Sequence, residues 1–354
     1  MSYRSVLRSL MASAVVLLTS FASLEAEEGR WAIVLHGGAG NVSKALPAEQ
    51  VKEYHEALEE ALQTGEKILA DGGTALDAVE QTIMVLENAS CLNAGRGAVF
   101  NEAGYNQLDS SIMDGKTLDC GGVSAVEHVR NPIRAARAVM DKTKHVLITA
   151  KDADAFAAKN GLEMVPHSYF FNEDRWKDLV RTLKKSERPV PSVPPYGRPQ
   201  VSAVRPDLGD METSAGGTVG CVALDKQGNL AAGTSTGGLT GKMVGRVGDS
   251  PIISAGTYAD NQGCAVSGTG VGEQYIRHAI GFQVNFRVRE KMQTLDEAVK
   301  HCLDNVLDPG DGGLIAVDAE GNMVMETSTK TLTRGWSDWK GNRGVALWEE
   351  PLGK

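Results

Sequence analysis

Ala215-Gly216-Gly217-Thr218-Val219-Gly220-Cys221-Val222-Ala223-Leu224 is the stretch on which the reading of the chain turns. A glycine pair gives way to a threonine, and the threonine opens an apolar run with the length of a strand buried on both faces. A second run, residues 229–235, follows across the turn Asp225-Lys-Gln-Gly228, so the two are expected to pair as a hairpin. Immediately upstream the composition changes abruptly, with six of the chain's 12 prolines lying between Pro189 and Pro206. Proline locks φ and removes a backbone donor, so residues 186–216 read as a flexible linker rather than a regular element.

Outward from this junction, Trp31-Ala-Ile-Val-Leu35 is a second two-sided strand, ending on His36-Gly-Gly-Ala-Gly40. Residues 47–70 carry an apolar stripe at helical spacing, with Tyr54, Leu58, Leu62 and Leu69 on it, and Gly72-Gly73 stops them. Thr74, with Asp77 three residues on, opens a helix that runs to residue 86. Helices are expected at 132–142, 152–159 and 173–184, with a strand at 145–150. Downstream, strand 264–267 leads through Gly268-Thr-Gly-Val-Gly272 into a helix at 273–282. Thr294 and Glu297 start a helix over 294–307. Residues 314–317 and 323–327 form a closing hairpin around Ala319-Glu-Gly-Asn322. Gly72-Gly73 and Gly121-Gly122 read as turns. Helices dominate the first half and strands the second, the pattern of helices covering paired sheets in one α+β domain, residues 27–354.

The 354 residues are 42% hydrophobic and 23% charged, a globular balance. The formal charge of −9, with no basic block among aromatics, excludes a nucleic-acid groove. The 5 cysteines are scattered without a C-x-x-C pair, so their spacing offers no zinc site, and the odd count leaves at least one thiol free. Cys221 and Cys264 read as small buried hydrophobes. At the start, Arg4 and Arg8 precede an apolar run over 10–22 with small residues at Ala22, Ser23 and Ala26. This reads as a signal peptide, residues 1–26, for export to the periplasm or medium, with no membrane attachment after its removal. Glycine contributes 40 residues, above the usual ~7%, in tight clusters where backbone must approach something closely.

Familiar catalytic signatures are missing: no H-E-x-x-H, no Walker lysine loop, no G-x-S-x-G elbow. Gly268-Thr-Gly-Val-Gly272 lies where a phosphate cradle could form, but Glu273 takes the next position and repels a phosphate. What stands out is hydroxyls beside glycines, at Thr218, Thr234-Ser-Thr236 and Thr269. Arg246 and Asp249, three residues apart, suit the carboxylate and ammonium of an α-amino acid; they equally suit a surface ion pair in a turn.

Taken together, His36-Gly-Gly-Ala-Gly-Asn41, Gly73-Thr-Ala-Leu-Asp-Ala-Val79, Asn93-Ala-Gly-Arg-Gly97, Asp109-Ser-Ser-Ile-Met-Asp-Gly115, Gly217-Thr-Val-Gly220, Thr234-Ser-Thr-Gly-Gly238, Gly245-Arg-Val-Gly-Asp-Ser-Pro251, Ala255-Gly-Thr-Tyr-Ala-Asp-Asn261, Thr269-Gly-Val-Gly-Glu273 and Gly312-Gly-Leu-Ile-Ala316 form one ordered series. In this series the chain resembles the isoaspartyl peptidase/L-asparaginase family, the plant-type asparaginases among the N-terminal-nucleophile hydrolases. The resemblance implies a four-layer αββα sandwich, made as a precursor that cuts itself between Gly217 and Thr218. An alpha fragment, 27–217, and a beta fragment, 218–354, would result. It implies Thr218 as nucleophile, Thr236 as its hydroxyl partner and Asn93 as the residue orienting Thr218 and its amine. Thr269 and Gly270 correspond to the oxyanion donors. Arg246, Asp249, Gly270 and Gly272 correspond to the substrate contacts. His36 falls near the cleavage site with either a structural or a catalytic part.

No cofactor is implied beyond a structural sodium ion held by the backbone carbonyls of Leu86, Glu87, Ala89, Leu92, Ala94 and Arg96. The implied substrates are isoaspartyl dipeptides and L-asparagine, and the implied assembly is a homodimer of two-fragment units. The alternatives are a glycosylasparaginase on the same scaffold and an exported aspartyl-binding protein that never matures.

Overall fold

The computed structural model describes residues 29–199 and 217–348. The expected leader and the second part of the proline-rich linker lie outside them. Among the described residues the chain runs β1 Ala32–Gly40, α1 Ala48–Ala70, α2 Ala75–Asn88, β2 Leu108–Asp114, β3 Cys120–Val126, α3 Pro132–Lys142, β4 Leu147–Thr149, α4 Ala150–Lys159 and α5 Glu173–Lys185. After the linker come β5 Val219–Leu224, β6 Leu230–Thr236, β7 Thr257–Ala259, β8 Cys264–Gly270, α6 Gly272–His278, α7 Ile280–Arg289, α8 Leu295–His301, β9 Gly312–Asp318, β10 Met323–Thr327, β11 Thr331–Asp338 and β12 Arg343–Ala346.

Eight strands form one sheet in the order β12-β11-β1-β5-β6-β2-β3-β4, and four form another in the order β10-β9-β8-β7. Strand periodicity explains how they stack. Successive side chains point to opposite faces. In β1, Ile33 and Leu35 meet Leu58 and Leu62 of α1 and Val79 and Ile83 of α2. Ala32 and Val34 instead join Val222, Leu224, Ala265, Ile315 and Val317 in a layer between the sheets. In the second sheet Cys264, Val266, Leu314 and Ala316 take the opposite face, against Tyr275, Val284 and Val299 of the outer helices. The result is helix, sheet, sheet, helix, and it accounts for the uninterrupted apolar runs at 31–35 and 219–224.

Several elements depart from expectation. Strands β2, β3, β7, β11 and β12 were not anticipated. β2 escaped notice because three buried polar residues, Asp109, Ser110 and Ser111, interrupt its apolar ones: Ser110 Oγ donates to Thr234 O at 2.9 Å, and Asp109 Oδ1 accepts from Ala125 N at 2.8 Å. Gly121-Gly122 is not a turn but part of β3. It is glycine because α3 lies directly on it, where a Cβ on Gly121 would fall 2.1 Å from Ala136 O. The helix expected over 273–282 breaks at Ala279, whose φ of +47° ends α6 and starts α7. That over 294–307 ends at His301 and continues as a π turn, Cys302–Val306. The strand expected over 145–150 is only Leu147–Thr149. The Thr294–Glu297 capping box forms in full, whereas Thr74 receives only the Asp77 N–H, at 3.1 Å. All five cysteines are free thiols, with Cys221 and Cys264 fully buried.

Ile315 fills the inter-sheet layer and is wholly buried. Ile315→Ala is expected to destabilise the fold by roughly 2–5 kcal/mol, read as a lowered urea midpoint at unchanged slope.

Candidate active site

The face parity that builds the inter-sheet layer also assembles a polar site at one end of it. Even-numbered residues of β1, β5 and β6 face the layer between the sheets from one side, and odd-numbered residues of β8 face it from the other. His36, Thr218, Thr234, Thr236, Ser267 and Thr269 all fall on these positions, and all are buried. Thr218 stands at the entrance to β5, whose register with β6 pairs Val219 with Ser235 and so sets Thr218 beside Thr236.

Thr218 Oγ1 donates to Thr236 Oγ1 at 3.1 Å, and Thr236 Oγ1 also accepts the Gly238 N–H at 2.9 Å. The Thr218 hydroxyl proton therefore points at Thr236 and a lone pair of Oγ1 is left exposed to an electrophile. Thr269 Oγ1 accepts from Ala39 N at 3.1 Å, which leaves its own O–H proton available as a donor. Gly270 continues the strand, where a Cβ would lie 2.0 Å from Asp311 O, so only glycine fits. Gly38, with φ +120°, and Gly217 are packed backbone to backbone: a Cβ on Gly38 would sit 2.4 Å from Gly217 Cα. The peptide bond expected to be cut is thus pressed against the end of β1.

His36 is fully buried. Its Nδ1 lies 2.8 Å from Thr218 O and its Nε2 lies 3.0 Å from Ser267 Oγ. A carbonyl can only accept, so Nδ1 carries the hydrogen and Nε2 accepts from Ser267. Burial lowers the His36 pKa to about 3, partly offset by the Thr218 carbonyl, so the ring is neutral. Behind it runs a chain of hydroxyls. Ser267 and Thr234 are 2.7 Å apart, Thr257 donates to Thr234 at 2.6 Å, and Ser111 donates to Thr257 at 2.9 Å. Ser267, Thr257 and Ser111 were missed in the sequence; their one signal is a hydroxyl on the inter-sheet parity of a buried strand.

The alternative reading of Arg246 and Asp249 as an ion pair with each other fails. Arg246 forks onto Glu273 instead, Nε to Oε1 at 2.9 Å and Nη2 to Oε2 at 2.8 Å. The guanidinium holds the Glu273 carboxyl below its ordinary range. Nη1 points toward Gly238 and Gly248, 3.2 and 2.8 Å from where their Cβ atoms would be. Asp249 is buried, its Oδ2 has no hydrogen-bond partner, and burial pushes its carboxyl up to about 7. Gly272 is glycine because Asp249 Oδ1 would lie 2.7 Å from its Cβ. An uncompensated buried carboxyl beside an arginine with a free edge is complementary to an ammonium and a carboxylate on one ligand. Lys242, also missed, lies below this loop. It is buried, donates to Gln107 O at 2.8 Å and stands 3.9 Å from Asp109 Oδ2.

Asn93 lies beside the turn that follows Thr236. Its Nδ2 donates to Gly238 O at 2.8 Å and its Oδ1 accepts from Val99 N at 3.0 Å, so in the uncut chain its side chain holds the loop after Thr236. In the same segment, carbonyl oxygens converge on Gly97. A Cβ there would lie 2.0 Å from Leu92 O, 2.7 Å from Ser90 O and 2.8 Å from Ala89 O. Ser90 was not among the expected carbonyls; those of Leu86 and Ala94 accept the Ala89 and Gly97 N–H groups at 3.3 and 3.1 Å. Glu87 sends its carbonyl toward Gly95, while its buried carboxyl accepts from Ser235 Oγ at 2.6 Å and Ile133 N at 3.0 Å. Burial raises that carboxyl to about 8.

Two sheets packed between helices, with a threonine hydroxyl opening a central strand beside a second threonine, define a hydrolase scaffold of the N-terminal-nucleophile class. Residues 29–347 match the model of the asparaginase family, and the chain belongs to that family. The isoaspartyl peptidase of Escherichia coli K12 is 40% identical over 311 residues, covering 87% of this chain and 93% of its own length. The isoaspartyl peptidase/L-asparaginase of Mus musculus is 41% identical over 302 residues, 85% and 86% of the two chains. That of Xenopus laevis is 39% identical over 303 residues, 85% and 90%.

The buried neutral histidine carries a pH signature. Unfolded chain takes up a proton at His36 below about pH 6.5, whereas folded chain does so only near pH 3. The resulting stability is present above pH 6.5 and lost as pH falls toward 3. Urea unfolding of His36→Asn over that window should show a shallower acid loss, by up to about 1.4 kcal/mol per pH unit. An unchanged slope would mean that His36 is protonated in the fold.

Proposed function

We propose that this chain is a self-cleaving threonine hydrolase that releases L-aspartate from isoaspartyl dipeptides and from L-asparagine. The observation that carries this reading is the gathering of Thr218, Thr236, Thr269, Arg246 and Asp249 at one end of the inter-sheet layer. The names of the relatives, isoaspartyl peptidase and L-asparaginase, support the substrate class.

In the precursor, Thr218 Oγ attacks the carbonyl carbon of Gly217, the C–N bond breaks, and an ester joins Gly217 to Thr218 Oγ. Water hydrolyses the ester, leaving a Gly217 carboxylate and a free Thr218 amine. That amine, with a reference pKa of about 7.7–8.0, accepts the hydroxyl proton in each later turnover. Thr218 Oγ then attacks the β-carbonyl of the substrate. The Thr269 hydroxyl and the Gly270 N–H donate to the developing oxyanion. The proton passes from the Thr218 amine to the leaving amine or ammonia, and water releases aspartate from the ester. Arg246 takes the α-carboxylate with its Nη1 edge, Asp249 takes the α-ammonium, and Gly272 leaves room for both. Gly237 gives Asn93 space to hold the turn that follows Thr236.

The remaining parts of the reading concern the surroundings. A structural sodium ion, held by backbone carbonyls among Leu86, Glu87, Ala89, Leu92, Ala94 and Arg96, would stiffen the loop bearing Asn93. Residues 1–26 act as an export leader. The mature unit is a two-fragment chain that pairs as a homodimer.

Purified protein should run as two fragments on a denaturing gel, the smaller beginning at Thr218 by N-terminal sequencing. Thr218→Ala should stay whole and lose turnover; a whole, fully active wild-type chain would refute the mechanism. Gly38→Ala should leave precursor uncut for longer, because its methyl enters the space of Gly217, and densitometry over time reads this directly. Asp249 must be ionised to hold an ammonium, so KM should rise as pH falls below about 7. In Asp249→Asn that pH dependence should vanish and KM should be raised throughout.

A further inference from the structure

Beyond the hydrolase site, two histidines and a glutamate meet on a rigid piece of backbone. Glu127 and His128 directly follow β3, and His167 opens the short turn before α5. One ligand atom from each side chain lies within 4.8 Å of the others, the one such group among the described residues. The backbone beneath them is fixed twice over. Asp154 accepts the N–H groups of Glu127, His128 and Val129 at 2.9 to 3.0 Å. Segment 128–130 also pairs with 163–165, through Val165 N to His128 O at 2.7 Å and Arg130 N to Glu163 O at 3.0 Å.

The donor atoms are prepared for a cation. His128 Nδ1 lies 3.1 Å from Val165 O, so it carries the hydrogen and Nε2 keeps its lone pair, the arrangement typical of a metal-binding imidazole. Glu127 Oε1 accepts from Gln107 Nε2 at 3.1 Å, which orients Oε2 toward His167 Nε2, 3.6 Å away. That separation exceeds a hydrogen bond but approaches the ~3.3 Å between donors around a tetrahedral zinc ion with bonds of about 2.0–2.1 Å. His167 Nδ1 is buried without a hydrogen-bond partner. The His167 ring is packed against His128 and Tyr196, with centroids 4.4 and 5.4 Å away and the Tyr196 ring stacked nearly parallel to it at 4°.

We propose that Glu127, His128 and His167 form a binding site for a divalent transition metal of the zinc type, distinct from the hydrolase site. Two imidazoles and one carboxylate leave one tetrahedral position for water, and the set is too poor in oxygen for calcium or magnesium. The half-exposed side chains close on the ion by rotation alone, because their backbone is already held. A bound ion ties the turn at 167–170 to the end of β3. Through Gln107, whose Oε1 accepts from Gly245 N at 2.9 Å, it also braces the loop that carries Arg246.

The test uses full-length wild-type protein and zinc chloride alone, titrated in competition with a chromogenic chelator. One zinc per chain at micromolar affinity or tighter is expected, together with a rise in Tm of at least about 2 °C at saturating zinc. Glu127→Gln, which is nearly isosteric, and His167→Ala should each weaken binding at least tenfold and remove the Tm rise, while melting normally without metal. Thr218→Ala should bind zinc like wild type. Cobalt bound by wild type should give the intense visible bands of a tetrahedral site, lost in Glu127→Gln. Equal zinc affinity in wild type and both ligand variants, or no stoichiometric binding by wild type, would overturn the proposal.

Discussion

Two sheets packed face to face leave their central strands no side open to water, and the rest of the molecule depends on that constraint. Through most of the layer the inward positions are met by alanine, valine and isoleucine. At one end the same positions carry hydroxyls and an imidazole. A polar group buried there must find a partner, and each does. Ser111, Thr257, Thr234, Ser267 and His36 are joined in one line that ends on the Thr218 carbonyl. Thr218 is thereby held from behind by the packing of the sheets, without a charged residue in the chain that holds it.

The charged groups stand on the other side of Thr218, on the loop between β6 and β7 and at the start of α6. There the arrangement is deliberately incomplete in its electrostatics. Arg246 has two of its nitrogens committed to Glu273, which fixes the plane of the guanidinium and the direction of its remaining edge. Asp249 stays largely desolvated and half neutral near pH 7. An isolated buried carboxyl costs free energy that a ligand ammonium recovers. Glu273, which the sequence reading set against phosphate, therefore has a positive part: it aims the arginine.

Legibility in the sequence followed the kind of force at work. Apolar runs, helical stripes and glycine stops mark β1, β5, β6, α1 and α2 clearly, because hydrophobic burial leaves a period in the residues. β2 leaves none, since Asp109, Ser110 and Ser111 are buried by hydrogen bonds to other strands and look like a loop when read along the chain. The break at Ala279 is equally silent, because the left-handed residue is an alanine, while the nearby Gly281 sits inside the next helix. Among site residues, Thr218, Thr236, Thr269 and Arg246 could be named from motifs. The motif named Asn93 but not the atoms it reaches, which in the uncut chain are Gly238 O and Val99 N.

What the sequence by itself determined is the alternation that makes the strands two-faced, the glycines where backbones must touch, and the threonine that follows Gly217. Family membership rests on the same string of residues. Tertiary structure alone decided which hydroxyl answers which, that Arg246 pairs with Glu273 rather than Asp249, and that Gly38 lies against Gly217. These contacts join residues far apart along the chain, and their geometry follows from strand register and sheet stacking. No local pattern of residues encodes a distance across two layers.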